Sequence, residues 1–212
     1  MMATMLSITN PKDKVVIFSP FYENYGADTI LSGAEPIYVP LVPPDFTFSI
    51  EQLENAFKQG AKALILCNPS NPCGKVFTFE ELTAIADVVK KYDAYVVTDE
   101  VYEHIVYAPN KHIYMQALDG MRERTIVCNS LSKTYSITGW RLGYVIANPE
   151  IIDRVKKVHD FLTVGAAAPL MEAATVGLKF DDKYYDELAA HYAHMKEVFV
   201  GGLEKLGLKY TE

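Results

Sequence analysis

Six short apolar runs alternate with stretches of helical character, and this alternation restricts the chain to few folds. The runs cover residues 14–18, 35–39, 62–66, 94–98, 125–129 and 142–146. Helical patterns occupy 22–32, 50–58 and 79–91 between them. Strands alternating with helices predict an α/β fold with a mostly parallel sheet. Local signals support the division. Gly33 stops the first helix, and Pro36 marks residues 35–39 as an edge strand. Ser49 with Gln52, and Thr78 with Glu81, have the spacing of a capping box at the next two helix starts. The last two runs are joined by only about a dozen residues. That is too short for a crossover helix, so these two strands are expected to be antiparallel.

The remaining chain is helical, over 150–161, 169–178 and 182–206. The expected organisation is a domain over 1–150, followed by a helical segment over 151–212 that leads to a second domain. Residues 1–8 read as a helix cut off at its start. Of 212 residues half are hydrophobic, and the formal net charge is −7 without a long basic run. That argues against nucleic acid as the partner. No apolar run reaches membrane-spanning length, and residues 1–14 lack the pattern of a signal peptide. Cys67, Cys73 and Cys128 form an odd set without metal-ligand spacing. Free thiols, no metal and a cytoplasmic location are the expectation.

The connection between the last two runs carries Ser130, Lys133 and Arg141. Antiparallel strands would bring Lys133 and Arg141 to one end of the sheet. A lysine held there can lose its proton and attack a carbonyl. An arginine beside a serine suits a phosphate. Two other strands end in polar residues: 62–66 runs into Asn68-Pro-Ser-Asn71, and 94–98 into Asp99-Glu-Val-Tyr102. In an open α/β sheet, ligands sit at these carboxyl ends. Each residue also has a plainer reading. Asn71 could shape a turn, and Asp99 could cap a short helix starting at Glu100. Tyr22 and Tyr102 could be packing residues, and Ser130 and Lys133 an ordinary polar loop. One ligand would account for all of them, namely a phosphorylated pyridine aldehyde.

Four motifs in order carry a family resemblance: Ser19-Pro-Phe-Tyr22, Asn68-Pro-Ser-Asn71-Pro-Cys-Gly74, Asp99-Glu-Val-Tyr102, and Ser130-Leu-Ser-Lys133 with Gly139-Trp-Arg141. From about residue 5 onward the chain resembles the large domain of class I/II aminotransferases, the fold-type I enzymes that use pyridoxal 5′-phosphate (PLP). The resemblance implies a three-layer α/β/α sandwich. It makes Lys133 the Schiff-base lysine and proton shuttle, and Asp99 the partner of the pyridine nitrogen. Asn71 and Tyr102 would bind the ring oxygen, Tyr22 would stack on the ring, and Ser130 and Arg141 would hold the phosphate. Amino acids and 2-oxo acids would be the substrates, and the full-length form a homodimer. Residues 74–82 and 121–125 look like the kynurenine, glutamine, methionine and aromatic branch. The family's N-terminal arm, its phosphate-binding glycine turn and its arginine for the substrate carboxylate are not in the sequence. The expectation is therefore a fragment with an unpaired sheet edge. A lyase of the same fold, or a non-catalytic domain, would share these motifs.

Overall fold

Each apolar run forms a strand in the computed structural model, which describes residues 1–211. The strands are Lys14–Ser19 (β1), Glu35–Pro40 (β2), Ala61–Cys67 (β3), Tyr95–Asp99 (β4), Thr125–Ser130 (β5) and Gly143–Ile146 (β6). They make one six-stranded sheet in the order β2-β1-β3-β4-β5-β6. All neighbours are parallel except β5 and β6, which are antiparallel with Ser130 opposite Gly143. Pro36 lies on β2, an edge, where its missing N–H interrupts no ladder on the outer side. The other edge, β6, leaves Gly143, Tyr144 and Ile146 exposed.

The helices are Met2–Ile8 (α1), Asn24–Leu31 (α2), Ile50–Lys58 (α3), Phe79–Lys91 (α4), Pro149–Thr163 (α5), Ala168–Gly177 (α6) and Asp182–Lys205 (α7). Side chains alternate across the strands, so the sheet has two apolar faces. Val16, Phe18, Leu64, Leu66 and Val96 meet Leu53, Phe57, Leu82 and Ile85 of α3 and α4. Val15, Ile17, Ala63, Ile65, Val97 and Ile126 meet Met5 of α1, Tyr25 of α2, and Ile151 and Val155 of α5. This is a three-layer α/β/α sandwich. Burying each large side chain contributes about 1.5–3 kcal/mol, so no single contact decides the fold.

The helix starts follow their caps. Ser49 accepts from the Gln52 N–H at 3.3 Å. Thr78 and Glu81 close a full capping box, with bonds of 3.2 and 2.9 Å. For Ser49 only one half of the expected box forms, since Gln52 does not return a bond. Helix α2 begins at Asn24 rather than at residue 22, and its cap Glu23 makes no side-chain capping bond. Tyr22 therefore stays in the turn after β1 and outside the helix. Asp99 does not cap a helix either: residues 101–104 form a turn. Leu131, Leu142 and Ala174 form a small third cluster under α6. The 24-residue α7 buries none of its residues. Among the described residues no helix is long and apolar enough to cross a membrane.

Candidate functional site

From β1 the chain connects to β2 on one side, then to β3 on the other. The strand order thus reverses between β1 and β3, and a crevice opens there beyond the carboxyl ends. A cavity of about 320 Å³ occupies it. Tyr22 enters from the end of β1, Asn71 from β3, Asp99 and Tyr102 from β4, and Ser130 and Lys133 from β5. Arg141 reaches the same cavity from the turn before β6. All seven residues singled out in the sequence therefore line one wall or another of one space.

Register sets much of this. Across neighbouring strands Cys67 lies opposite Asp99, and Asp99 opposite Cys128. The Asp99 carboxylate accepts from the Tyr25 hydroxyl at 2.8 Å and from the Val101 N–H at 3.2 Å. Burial raises the Asp99 carboxyl above its usual range, and these two donors oppose the rise. Among the described residues no lysine, arginine or histidine side chain pairs with it. A partly buried carboxylate with only neutral side-chain and backbone donors is a place where a cationic ligand group is favoured. Tyr25, only 3% exposed, is held protonated far above its ordinary range, first by burial and then by Cys67 and Asp99. Burial likewise pushes the Cys67 thiol up to about 12, so it is no nucleophile at neutral pH.

Lys133 Nζ lies 5.8 Å from the centre of the Tyr102 ring. Among the described residues it makes no ion pair and no hydrogen bond, which leaves the amine open to the cavity. Burial holds the Tyr102 hydroxyl protonated, hence a donor. Ser130 Oγ accepts from the Ser132 N–H at 3.0 Å. Arg141 gives one N–H to the Thr138 carbonyl at 3.0 Å and pairs with no carboxylate among the described residues. Its backbone is left-handed, with φ +56°, after a single 3-10 turn over Thr138–Trp140.

Supporting residues escaped the sequence reading. Tyr25 is one. Asn68 is another: its side-chain oxygen accepts from the Phe77 N–H at 3.1 Å, which ties down the loop that carries Asn71. Asn129 donates to Glu103 at 2.8 Å and accepts from the Ser130 N–H at 2.7 Å, fixing the start of the lysine loop. Glu100, beside it, is buried against His112 at 3.2 Å. The only sequence signal for Tyr25 was its helical spacing from Tyr22. Nothing local linked Asn129 to Glu103.

The model of the family described as aminotransferase class I and II matches residues 1–212. The human protein named kynurenine–oxoglutarate transaminase 3 is 35% identical, over 97% of this chain and 49% of its own. Among solved structures, the N-succinyldiaminopimelate aminotransferase from Mycobacterium tuberculosis superposes with a TM-score of 0.93 at 32% identity, covering 97% of this chain and 54% of its own. The aromatic aminotransferase from Pyrococcus horikoshii gives 0.91 at 33% identity, covering 97% and 56%. The chain spans about half the length of the curated relatives it matches. With the whole chain matched by the family model and the fold shared with solved members, this protein belongs to the class I and II aminotransferases.

Proposed function

We propose that this chain supplies the cofactor-binding half of a PLP-dependent aminotransferase, which moves an amino group between an amino acid and a 2-oxo acid. The observation that carries the reading is the partly buried Asp99 carboxylate. It lacks a side-chain cation and shares one cavity with the unpaired amine of Lys133 and the guanidinium of Arg141. The donor set fits the cofactor group by group. Asp99 would hold a proton on the pyridine nitrogen, and Tyr25 keeps that carboxylate in place. Asn71 and the protonated hydroxyl of Tyr102 suit the ring oxygen. Tyr22, 40% exposed at the rim, offers an aromatic face for stacking. Ser130 and Arg141 suit the phosphate. When bound, the protonated ring supplies an electron sink for negative charge at the substrate Cα. Lys133 Nζ is the amine that attaches the cofactor and the base that carries the α-proton.

In this reading residues 1–150 form the cofactor-binding domain, and 151–212 lead to a second one. The full-length protein is a cytoplasmic homodimer, and the three free cysteines of this chain support the compartment. Kynurenine, glutamine, methionine and aromatic amino acids are the donors to try first. The test is to incubate the chain with PLP, reduce with borohydride and map the label by mass spectrometry. Label on Lys133 is expected, and label elsewhere with Lys133 clean refutes the assignment. A coupled assay with those donors, against 2-oxoglutarate and pyruvate, should show poor turnover by these 212 residues. Each charge-assisted phosphate contact absent from Ser130 and Arg141 alone is worth about 1.5–3 kcal/mol.

A further inference from the structure

We propose that Tyr184 and Tyr185, in the first turn of α7, are positioning residues that hold Lys133 in place through the two residues that follow it. The inference rests on the reading of Lys133 as the cofactor-bearing amine. The Tyr184 hydroxyl donates to the Thr134 carbonyl at 2.7 Å. Thr134 is 4% exposed, and among the described residues that carbonyl has no other hydrogen-bond partner. The Tyr185 and Tyr135 hydroxyls meet at 2.9 Å. Rings reinforce both bonds. Tyr184 stacks on Tyr135 at 5.8 Å with an interplanar angle of 19°, and Tyr185 lies 4.3 Å from His104.

The lysine loop has little of its own to hold it. Before Lys133 the Ser132 N–H bonds Ser130 Oγ at 3.0 Å and the Thr138 hydroxyl bonds the Ser132 carbonyl at 3.2 Å, but the backbone bonds on its far side are long, 3.2 Å from the Tyr135 N–H to the Leu131 carbonyl and 3.3 Å from the Ser136 N–H to the Lys133 carbonyl. Lys133 Nζ has no hydrogen bond and no ion pair among the described residues, so the backbone of the loop does most of the aiming. A displacement of about 1 Å at a reacting group can cost on the order of a hundredfold in rate. Helix α6 also presses close: a Cβ on Gly177 would come within 3.0 Å of the Tyr135 ring. The start of α7 meanwhile adds nothing to the sheet core, since the helix buries none of its residues. Two tyrosines there whose hydroxyls both go to the lysine loop are better explained by placement than by core packing.

The test uses Tyr184→Phe, Tyr185→Phe and the double variant, which keep the rings and remove only the hydroxyls. Amide hydrogen exchange is read at Tyr135 and Ser136 in the cofactor-free chain, with thermal unfolding alongside. The fraction of borohydride-trapped PLP on Lys133, relative to all lysines, is the second readout. The double variant should raise exchange at these amides about tenfold, equivalent to about 1.4 kcal/mol of local opening. Its Lys133 fraction should fall severalfold while the unfolding temperature barely moves. Unchanged exchange would overturn the clamp. Faster exchange with an unchanged Lys133 fraction would reduce the tyrosines to anchors of α7 and overturn the positioning role. Should the unaltered chain take no label on Lys133, the cofactor reading fails by itself, and the exchange arm still decides whether the clamp exists.

Discussion

Replacing Tyr25 by Phe removes a single oxygen from the floor of the cavity and tests how Asp99 is kept charged. The ring stays in the core between α2 and the sheet, so packing is nearly unchanged. The lost contact is the 2.8 Å bond to the Asp99 carboxylate. A hydrogen bond to a charged group is worth about 1.5–3 kcal/mol, and one between neutral groups about 0.5–1.5. The cost of the substitution should therefore depend on whether Asp99 is ionised. Burial already raises its carboxyl above the ordinary carboxylate range. A raised acid contributes stability that is fully present below its unfolded pKa and lost as pH rises through the folded one. Removing the Tyr25 donor raises the folded value further, so the variant loses more on the same climb. Urea unfolding of both proteins between about pH 4 and pH 8 should give a difference that grows with pH, from the neutral figure towards the charged one. Near neutrality that equals a fall of roughly 3–12 °C in unfolding temperature. A difference independent of pH would refute the argument, because the hydroxyl would then not be acting on a charge.

Asp99→Asn, placed in a full-length relative of this chain, should lower kcat on the order of a hundredfold while leaving PLP affinity within a few-fold, as read by steady-state kinetics and cofactor titration. Thr78→Ala opens the capping box of α4 and should cost about 1–2 kcal/mol in denaturant unfolding. Gly143→Ala would place a Cβ 2.8 Å from the Asn129 carbonyl oxygen. Since backbone cannot step aside cheaply, it should cost about 1–3 kcal/mol and loosen the β5–β6 pair, visible as faster exchange at the Val145 amide.

Where a side chain's partner is a few residues away, the sequence was enough. α3 and α4 begin where Ser49 and Thr78 place them, because those caps bind backbone N–H groups three residues on. The antiparallel β5–β6 pair was legible because chain length alone forbids a crossover. The seven cavity residues were legible because six lie at or within a few residues of a strand's carboxyl end and Arg141 lies just before β6, at the same end of the sheet. The residues that hold them were not. Tyr25 and Asp99 are 74 positions apart, and Tyr184 and Thr134 are 50 apart. Nothing in one of 14 tyrosines announces such a partner. The plainer alternative for Asp99, a cap on a short helix, does not occur: its side chain accepts from Val101 and Tyr25 together, and no helix starts there.

The left-handed backbone at Arg141 constrains how this position can change. For a residue with a Cβ this conformation costs about 1–2 kcal/mol, and glycine would occupy it at ease. A mutational walk guided only by folding would drift there towards glycine. A walk guided only by charge would prefer the arginine on relaxed backbone, but a relaxed turn would not send β6 back along β5 with Ser130 opposite Gly143. Comfort and charge thus pull position 141 in opposite directions, and stabilising the fold at that one residue means giving up its guanidinium.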